Sequence, residues 1–328
     1  MKKNTKELQP EKYKDTIEHV IQKGNTPAGM HISIMVKEII DFLNIQPGEI
    51  GFDATLGYGG HTKAMLKCLN GKGHIYATDV DPEESDKTKK RLADQGFGED
   101  LLTVKLQNFC TIDEIAKEVR IDFILADLGV SSMQIDNPKR GFSFKVDGPL
   151  DLRLNQEAGI SAAERLDTIT RDELAGMLYE NSDEPYCEEL AKAITDEIRK
   201  GNRIDTTTKL RQVIEKTLDF LPEKEKKDTI KKTCQRTFQA LRIDVNREFE
   251  VLYEFMEKLP DALRPGGRVA ILTFHSGEDK LVKKALKEGY KAGIYSDYAK
   301  DVIRPSAQEC AQNGRARSTK MRWAVKNK

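Results

Sequence analysis

The apolar residues of this chain fall into short continuous runs that are separated by stretches with helical spacing. Four runs in the N-terminal part predict buried strands at residues 50–53, 74–79, 101–106 and 121–126. The segments between them carry apolar residues at steps of three and four, which predicts helices. Further strands are expected at residues 268–274 and 319–325. Strands that alternate with helices build βαβ units, so the prediction is an α/β fold with a mostly parallel sheet.

The pattern changes after the fourth strand. Residues 160–232 are rich in Glu, Lys and Leu and contain no strand-like run, which indicates a helical segment. Ser161-Ala-Ala-Glu164 and Thr170-Arg-Asp-Glu173 each have the form of a capping box. Between residues 238 and 259, apolar residues recur at steps of three and four and predict one long amphipathic helix. The chain is therefore expected to be an α/β domain that an all-helical insert interrupts.

Composition narrows the class of protein. The 328 residues are 38% apolar and 33% charged, and the formal net charge is zero. A neutral balance argues against a protein that coats nucleic acid nonspecifically. No run approaches the roughly 18 apolar residues of a membrane span, and the polar residues 1–6 lack the apolar core of a signal peptide. We expect a cytoplasmic protein that binds no membrane.

Three further features of the composition bear on partners. The five cysteines show no Cys-x-x-Cys spacing, which favours free thiols, and no metal-ligand set is evident. The tail, residues 315–328, has six basic residues and no acid, which fits either a solvated edge strand or a rim that faces phosphates. Residues 1–30 are polar with a short amphipathic stretch. We expect an N-terminal extension that contains a helix and could mediate a homodimer.

Glycines and acidic or aromatic residues follow the predicted strands. The segment Asp53-Ala-Thr-Leu-Gly-Tyr-Gly-Gly-His61 places glycines between a strand and a helix, where the backbone can approach a ligand closely. Asp79 ends the second strand and is placed to accept hydrogen bonds from ribose hydroxyls. Phe109 follows the third strand and Asp127 ends the fourth. The carboxyl ends of parallel strands share one edge, so these residues are expected to form one site.

Taken singly, these residues have ordinary alternatives. A turn glycine, a core phenylalanine and a carboxylate that caps a loop need no ligand, and Asp81 is better explained as a helix cap. The glycine spacing also departs from Gly-x-Gly-x-x-Gly, which disfavours a dinucleotide-dependent oxidoreductase.

A long irregular segment, residues 127–153, follows the fourth strand. It mixes acids, bases, Phe, Gly and Pro without a helical or strand period. Long loops inside compact domains are usually functional or disordered, and this balanced mixture disfavours disorder. The segment is therefore predicted to be an active-site loop.

This loop contains two motifs that ordinary strand-to-helix connections do not have, Arg140-Gly-Phe-Ser-Phe144 and Asp147-Gly-Pro-Leu-Asp-Leu-Arg153. With the glycine turn, Asp127-Leu-Gly-Val-Ser-Ser132, Arg236-Thr-Phe-Gln-Ala-Leu-Arg-Ile243 and Phe274-His-Ser276, they resemble the MraW family of S-adenosylmethionine-dependent ribosomal RNA methyltransferases. The resemblance spans about residues 31–325. It implies a Rossmann-like class I methyltransferase sheet over residues 31–137 and 233–328, with a helical substrate-recognition domain inserted at 138–232. The implied activity is N4-methylation of a cytidine in 16S rRNA, near the decoding centre of the small ribosomal subunit.

The resemblance also implies roles for particular residues. The cofactor contacts of the family map onto Gly59, Gly60, His61, Asp79, Phe109, Asp127 and Gln134. We expect Asp127 to lie near both the cofactor and the target amine and to act as hydrogen-bond acceptor or base. Candidates to hold an extruded base or contact RNA are Arg140, Phe142, Phe144, Arg153 and His275. The alternative is loop packing for the first four residues and a structural hydrogen bond for His275.

Some segments depart from the family pattern. The segment that starts with His275 reads His-Ser-Gly-Glu-Asp-Lys, and Lys232-Thr-Cys-Gln235 replaces an expected His-Pro-Ala. These departures keep other hypotheses open. One is a diverged copy of the family that methylates another RNA or a different substrate. Another is a noncatalytic, cofactor-binding ribosome-assembly factor.

Overall fold

The computed structural model describes residues 33–328, and the predicted extension at residues 1–30 lies outside them. The chain divides into two compact units. The first comprises the described residues up to Gly129 together with Tyr253–Lys328, and the second is Val130–Leu252. The predicted helical insert, residues 138–232, lies within the second unit. No helix in the described range is long and apolar enough to cross a membrane.

Strands and helices alternate along most of the first unit and give way to helices in the second. The strands are β1 (Ile50–Asp53), β2 (His74–Asp79), β3 (Leu102–Leu106), β4 (Ile121–Asp127), β5 (Leu263–Thr273), β6 (Tyr295–Tyr298) and β7 (Lys320–Lys326). The helices are α1 (Val36–Leu43), α2 (Gly60–Leu69), α3 (Pro82–Ala93), α4 (Ile112–Ala116), α5 (Ser132–Asp136), α6 (Ala162–Thr168), α7 (Arg171–Ser182), α8 (Cys187–Arg199), α9 (Thr207–Thr217), α10 (Glu223–Asn246), α11 (Glu248–Ala262), α12 (Ser276–Lys291) and α13 (Ala307–Gln312).

The first unit is built on a seven-stranded sheet with the order β3-β2-β1-β4-β5-β7-β6. β1 to β5 pair in parallel, while β7 runs antiparallel to both β5 and β6. The strand order reverses between β1 and β4, and open α/β sheets bind ligands at the carboxyl ends of strands beside such a switch point. The predicted Rossmann-like α/β fold is confirmed.

Burial and ion pairs explain the central position of β1, β4 and β5. Every residue of β4 before Asp127 is buried, as expected for a strand with neighbours on both sides. At the amino ends of the strands, the Glu49 carboxylate accepts bonds of 2.8 and 2.6 Å from the Arg268 guanidinium. Asp122 accepts a 2.7 Å bond from the Ile50 amide. These contacts fix the three strands at the edge opposite to the predicted site.

The second unit is helical, as predicted. Its core contains buried leucine, isoleucine and alanine residues from α6 to α10. The hydroxyls of Ser161 and Thr170 accept hydrogen bonds from the amides of Glu164 and Glu173, so both predicted capping boxes are present. Each box satisfies amides at a helix start that have no partner within the helix.

The single helix predicted between residues 238 and 259 is wrong, because α10 and α11 are separate helices. Arg247 lies between them with a left-handed φ of 52°. The side chain of Asn246 donates to the Leu152 carbonyl at 2.8 Å and accepts from the Leu154 amide at 2.7 Å. These bonds hold the end of α10 against the long loop, a tertiary contact that helical periodicity cannot reveal.

The C-terminal strands also differ from expectation. β6 was not predicted, and it forms the sheet edge, so β7 is an inner strand. Three basic residues of the tail bind the protein itself. Lys320 and Arg322 pair with Asp279, and Lys326 donates to the Leu263 carbonyl at 2.8 Å. Residues 265–267 lie inside β5, whose register with β4 shifts nearby.

Candidate active site

The glycine turn between β1 and α2 has one closely packed side and one open side. Gly57 and Gly59 both have left-handed backbones, with φ of 47° and 76°. A Cβ on Gly59 would lie 2.7 Å from Thr88 Cγ2, and one on Gly60 would lie 2.0 Å from Ser33 Oγ. A Cβ on Gly57 would meet only a backbone oxygen, 3.9 Å away. Packing therefore requires glycine at Gly59 and Gly60, while the space beside Gly57 can admit a ligand.

Two residues of α3 hold this turn in place, and sequence reasoning missed both. The Thr88 hydroxyl donates to the Gly57 carbonyl at 2.7 Å. Arg91 donates to the Tyr58 carbonyl at 2.8 Å, and its guanidinium lies 3.6 Å from the centroid of the Tyr58 ring. A charged helix is usually read as a solvated one, so only the three-residue spacing of the two side chains offered a signal.

Asp79 lies at the carboxyl end of β2, beside the glycine turn. Its carboxylate accepts bonds from the amides of Gly57 at 2.8 Å and Asp81 at 2.9 Å. Burial raises the pKa of Asp79, and these amides partly oppose that shift. Each carboxylate oxygen has further lone pairs, so Asp79 can still accept hydroxyl donors. The Asp81 side chain accepts from two amides at the start of α3, which confirms its predicted role as a helix cap.

Phe109 follows β3 and begins a short 3-10 turn that Asn108 caps. The ring of Phe109 packs edge-on against the ring of Phe255, with centroids 5.2 Å apart. The residue is only partly buried, so part of it stays accessible. The core role that the sequence left open is thus present, and a contact with adenine stays a prediction.

Asp127 at the end of β4 and His61 in the first turn of α2 lie against each other. Asp127 Oδ2 is 3.3 Å from His61 Nδ1, and the His61 Nε2 atom is 2.8 Å from the Ile34 carbonyl oxygen. The Asp127 amide donates to the Thr55 hydroxyl at 2.8 Å. Asp127 Oδ1 is buried and has no hydrogen-bond partner in residues 33–328. A buried carboxylate oxygen without a donor is costly, which marks this atom as a place for a ligand donor.

Asp53, the last residue of β1, is a third acid of this site, and sequence reasoning did not assign it. It is 1% exposed. Its carboxylate accepts bonds from the Thr62 hydroxyl at 2.6 Å and the Thr55 amide at 3.1 Å. Burial raises the pKa of Asp53 to about 6, although Thr62 and His61 favour the charged form. The signal was its strand-end position, which it shares with Asp79 and Asp127.

The other predicted site residues of the long loop belong to the second unit. Gln134 is buried in α5, where its side chain and Ser131 form a capping box. Arg140 is also buried, and its guanidinium donates to the carbonyls of Arg153 and Leu154 at 3.1 and 2.6 Å. Arg140 thus links two distant points of the loop.

Phe142, Phe144 and Arg153 also make contacts within this unit. Phe142 and Phe144 pack on the helical core, and the Phe144 ring lies 5.7 Å from the ring of Phe238. Arg153 forms a bidentate pair with Asp151, with distances of 2.8 and 2.9 Å. These are the loop-packing contacts that the sequence left open as an alternative, and the predicted contacts with a base are not tested by them.

His275 lies at the start of α12 in the first unit. Its Nε2 atom is 3.2 Å from Glu278 Oε1, while Glu278 Oε2 accepts from the Phe274 amide at 2.8 Å. His275 Nε2 is thus within ion-pair distance of Glu278, while the structural hydrogen bond and the contact with RNA both stay predictions.

The first unit thus brings Gly59, Gly60, His61, Asp79, Phe109 and Asp127 to the carboxyl edge of one sheet. Three features of this edge suit a polar nucleoside ligand: the open side of the glycine turn, the strand-end carboxylate of Asp79 and the unpartnered Oδ1 atom of Asp127. Fold and site together define a Rossmann-like, nucleoside-binding α/β enzyme. The model of the MraW methylase family matches residues 28–327. The chain therefore belongs to the MraW methylase family and is a methyltransferase.

Individual relatives are similar over nearly the whole chain. The chain is 87% identical over 322 residues to "Ribosomal RNA small subunit methyltransferase H 1" of Agathobacter rectalis, covering 98% of this chain and 92% of that protein. It is 62% identical over 326 residues to "Ribosomal RNA small subunit methyltransferase H 2" of Alkaliphilus metalliredigens, covering 99% and 93%. A solved structure of a SAM-dependent O-methyltransferase from Thermotoga maritima has a TM-score of 0.42 at 11% identity, covering 92% of this chain and 69% of that one.

Proposed function

We propose that this methyltransferase uses S-adenosylmethionine to methylate the exocyclic N4 of a cytidine in 16S rRNA, on the small ribosomal subunit near the decoding centre. Relatives with up to 87% identity carry names that specify small-subunit ribosomal RNA. The structural observation that carries the proposal is Asp127 Oδ1, a buried acceptor without a donor at the carboxyl edge of the sheet. An amine that must lose a proton is a donor of the required kind.

The cofactor supplies an electrophilic methyl group on its sulfonium. The protein must supply position, because the cytosine amine is a poor nucleophile whose lone pair is delocalised into the ring. Holding two reactants in line removes much of the entropic barrier. In the proposed complex, Asp127 Oδ1 accepts a hydrogen bond from the amine while Oδ2 stays beside His61. Asp127 orients the lone pair, stabilises the positive charge that develops on the nitrogen as it bonds to the methyl carbon, and accepts the proton that the nitrogen then loses.

The cofactor is proposed to lie along the glycine turn. Asp79 would accept hydrogen bonds from the ribose hydroxyls of the cofactor. The exposed part of Phe109 would lie against the adenine of the cofactor. Gly59 and Gly60 shape the turn, and the open space beside Gly57 admits the cofactor. Gln134 stays a predicted cofactor contact.

The helical unit is proposed to recognise the RNA, with residues 138–232 as its substrate-recognition part. Arg140 and Arg153 would act chiefly by holding the loop in shape, since both bind protein groups in this structure. Phe142 and Phe144, which pack on the helical core, stay predicted contacts of the extruded base. Changing Phe142 to Ala should then raise the KM for RNA more than the KM for the cofactor.

The basic tail contributes less to RNA binding than its charge suggests. Lys320, Arg322 and Lys326 are bound within the protein, while Arg317 is exposed. Arg317→Ala should reduce the slope of the logarithm of the RNA-binding constant against the logarithm of the salt concentration. The reduction should be about one unit if Arg317 contacts a phosphate. An unchanged salt dependence removes Arg317 from the interface, and neutralising the remaining basic residues of the tail tests the tail as a whole.

A ribosomal substrate agrees with the cytoplasmic location expected from the sequence. A homodimer through residues 1–30 stays a prediction, and sedimentation of the full chain against a chain that lacks them tests it.

The function is tested by mass mapping of rRNA from cells with and without the gene. Loss of one methyl group from a 16S cytidine is expected. Loss of a mark elsewhere would support the hypothesis of a different substrate, and no lost mark would support a noncatalytic assembly factor. Asp127→Asn should lower kcat by about a hundredfold or more. Full turnover in this variant would refute the role of Asp127.

A further inference from the structure

The ring of His61 has both of its nitrogens beside oxygen atoms. Nε2 is 2.8 Å from the Ile34 carbonyl oxygen and Nδ1 is 3.3 Å from Asp127 Oδ2. A neutral imidazole has one donor and one acceptor nitrogen, and a backbone carbonyl can only accept. Nε2 must therefore carry a proton. Nδ1 then faces a carboxylate, and a proton on Nδ1 would turn this contact into a charge-assisted hydrogen bond.

The charges around the ring decide whether Nδ1 holds this proton. Burial of the ring and its place in the first turn of α2 both disfavour a positive charge, because the helix N-terminus is itself positive. Two carboxylates act in the opposite direction. Asp127 contacts the ring directly, and Asp53 acts on it through its charge. The net effect is a raised pKa for His61, in which Asp127, the Ile34 carbonyl and Asp53 outweigh burial.

Asp53 is fixed where its charge is effective. It lies at the end of β1, next to β4, and is almost fully buried, so water screens it little. Thr62, adjacent to His61 in the chain, donates to one carboxylate oxygen of Asp53, and the Thr55 amide donates to the other. The hydroxyl of Thr55 in turn accepts from the Asp127 amide. One threonine thus sets the positions of both acids.

We propose that Asp53 is a positioning residue for methyl transfer, which keeps His61 as an imidazolium that donates to Asp127 Oδ2. Asp127 then presents Oδ1 as a fixed anionic acceptor for the target amine. The inference rests on the proposed role of Asp127 and adds a requirement to it. Methyl transfer should need a protonated His61, so kcat should fall as the pH rises through the pKa of His61.

The charges around His61 come from several elements. Asp53 from β1 and Asp127 from β4 favour the imidazolium. The segment before α1 contributes the neutral Ile34 carbonyl, and the neighbouring Met35 amide binds the Glu309 carboxylate at 2.7 Å. Glu309 is therefore a further acid near this segment. Glu309→Gln serves as a second control for the effect of Asp53→Asn on the profile of kcat against pH.

The test is a titration of the full chain by NMR of histidine ring nitrogens, with His61 assigned by its loss in His61→Gln. The pKa of His61 is expected to lie above the ordinary value of about 6.5. Asp53→Asn should lower the pKa of His61 and shift the alkaline limb of the kcat profile to lower pH by the same amount. Asp86→Asn, which removes an exposed acid of α3, should change neither.

Two outcomes overturn the inference. One is a pKa of His61 at or below the ordinary value of about 6.5 in the unaltered protein, a measurement that does not depend on how Asp53→Asn folds. The other is a folded Asp53→Asn protein in which the pKa of His61 is unchanged. Neither readout needs a substrate. A protonated His61 that responds to Asp53, in a protein that leaves rRNA unmethylated, would therefore refute the proposed function alone.

Discussion

Replacing Gly59 by Ala should destabilise the first unit much more than an ordinary glycine substitution does. The backbone φ is 76°, and a Cβ would lie 2.7 Å from Thr88 Cγ2 and 3.1 Å from Leu92 Cδ1. Left-handed backbone strain for a residue with a Cβ is about 1–2 kcal/mol. Overpacking against buried side chains adds about 1–3 kcal/mol. The expected loss of unfolding free energy is therefore about 2–5 kcal/mol.

Gly71 provides a matched control. Its φ is 72°, nearly that of Gly59, and no heavy atom lies within 4 Å of a Cβ built there. Gly71→Ala should therefore show only the backbone strain of about 1–2 kcal/mol. Urea unfolding of the full chain measures both variants. Equal losses would refute the claim that packing against α3 fixes the turn.

Gly57→Ala separates stability from ligand binding. A Cβ at this position enters the open side of the turn. The variant should lose about as much stability as Gly71→Ala and should in addition bind S-adenosylmethionine more weakly, by about tenfold or more. Unchanged affinity by calorimetry would place the cofactor elsewhere.

Three other predictions concern charge and backbone. Asp279→Asn should lower the unfolding free energy by about 3–5 kcal/mol, because it removes the carboxylate that pairs with buried Arg322; a loss below about 1 kcal/mol in urea unfolding would contradict this. Arg247→Gly should leave stability unchanged or raise it by about 1 kcal/mol, because the residue has a left-handed φ of 52°; a clear loss would show that its side chain matters more than its backbone. The pKa of Asp53 is raised to about 6, so the folded protein binds this proton more tightly than the unfolded chain does. The contribution of Asp53 to the free energy of unfolding should therefore fall as the pH rises from about 4 to about 6. Asp53→Asn should flatten the plot of unfolding free energy against pH in that range; an unchanged plot would contradict the raised pKa.

Much of the first unit could be predicted from the sequence because its strands are continuous apolar runs. β1 and β2 have the predicted bounds, and β3 and β4 differ by one residue. The strand-end positions of Asp79 and Asp127 followed from these runs and from the geometry of parallel sheets. β6 is short and partly exposed, with the sequence Tyr-Ser-Asp-Tyr, and it gave no apolar signal. Its pairing with β7 is a tertiary contact that a local pattern does not contain.

The site was less predictable than the sheet for the same reason. Thr88 and Arg91 lie on a helix that reads as solvated, yet both bind the glycine turn. The break at Arg247 depends on bonds between Asn246 and a loop about 90 residues away, which no helical period records. Asp53 stood beside the glycine motif, but its importance depends on burial and on the charge of its neighbours.

The most direct test of the central claim uses the purified full chain with S-adenosylmethionine labelled on its methyl group and isolated small ribosomal subunits from cells that lack the gene. Nucleoside analysis of the product rRNA locates the label. The account predicts one N4-methylated cytidine in 16S rRNA, with turnover that largely disappears in Asp127→Asn. Label on a ring carbon or a ribose, or a subunit that takes up no label while the protein binds the cofactor, would contradict it.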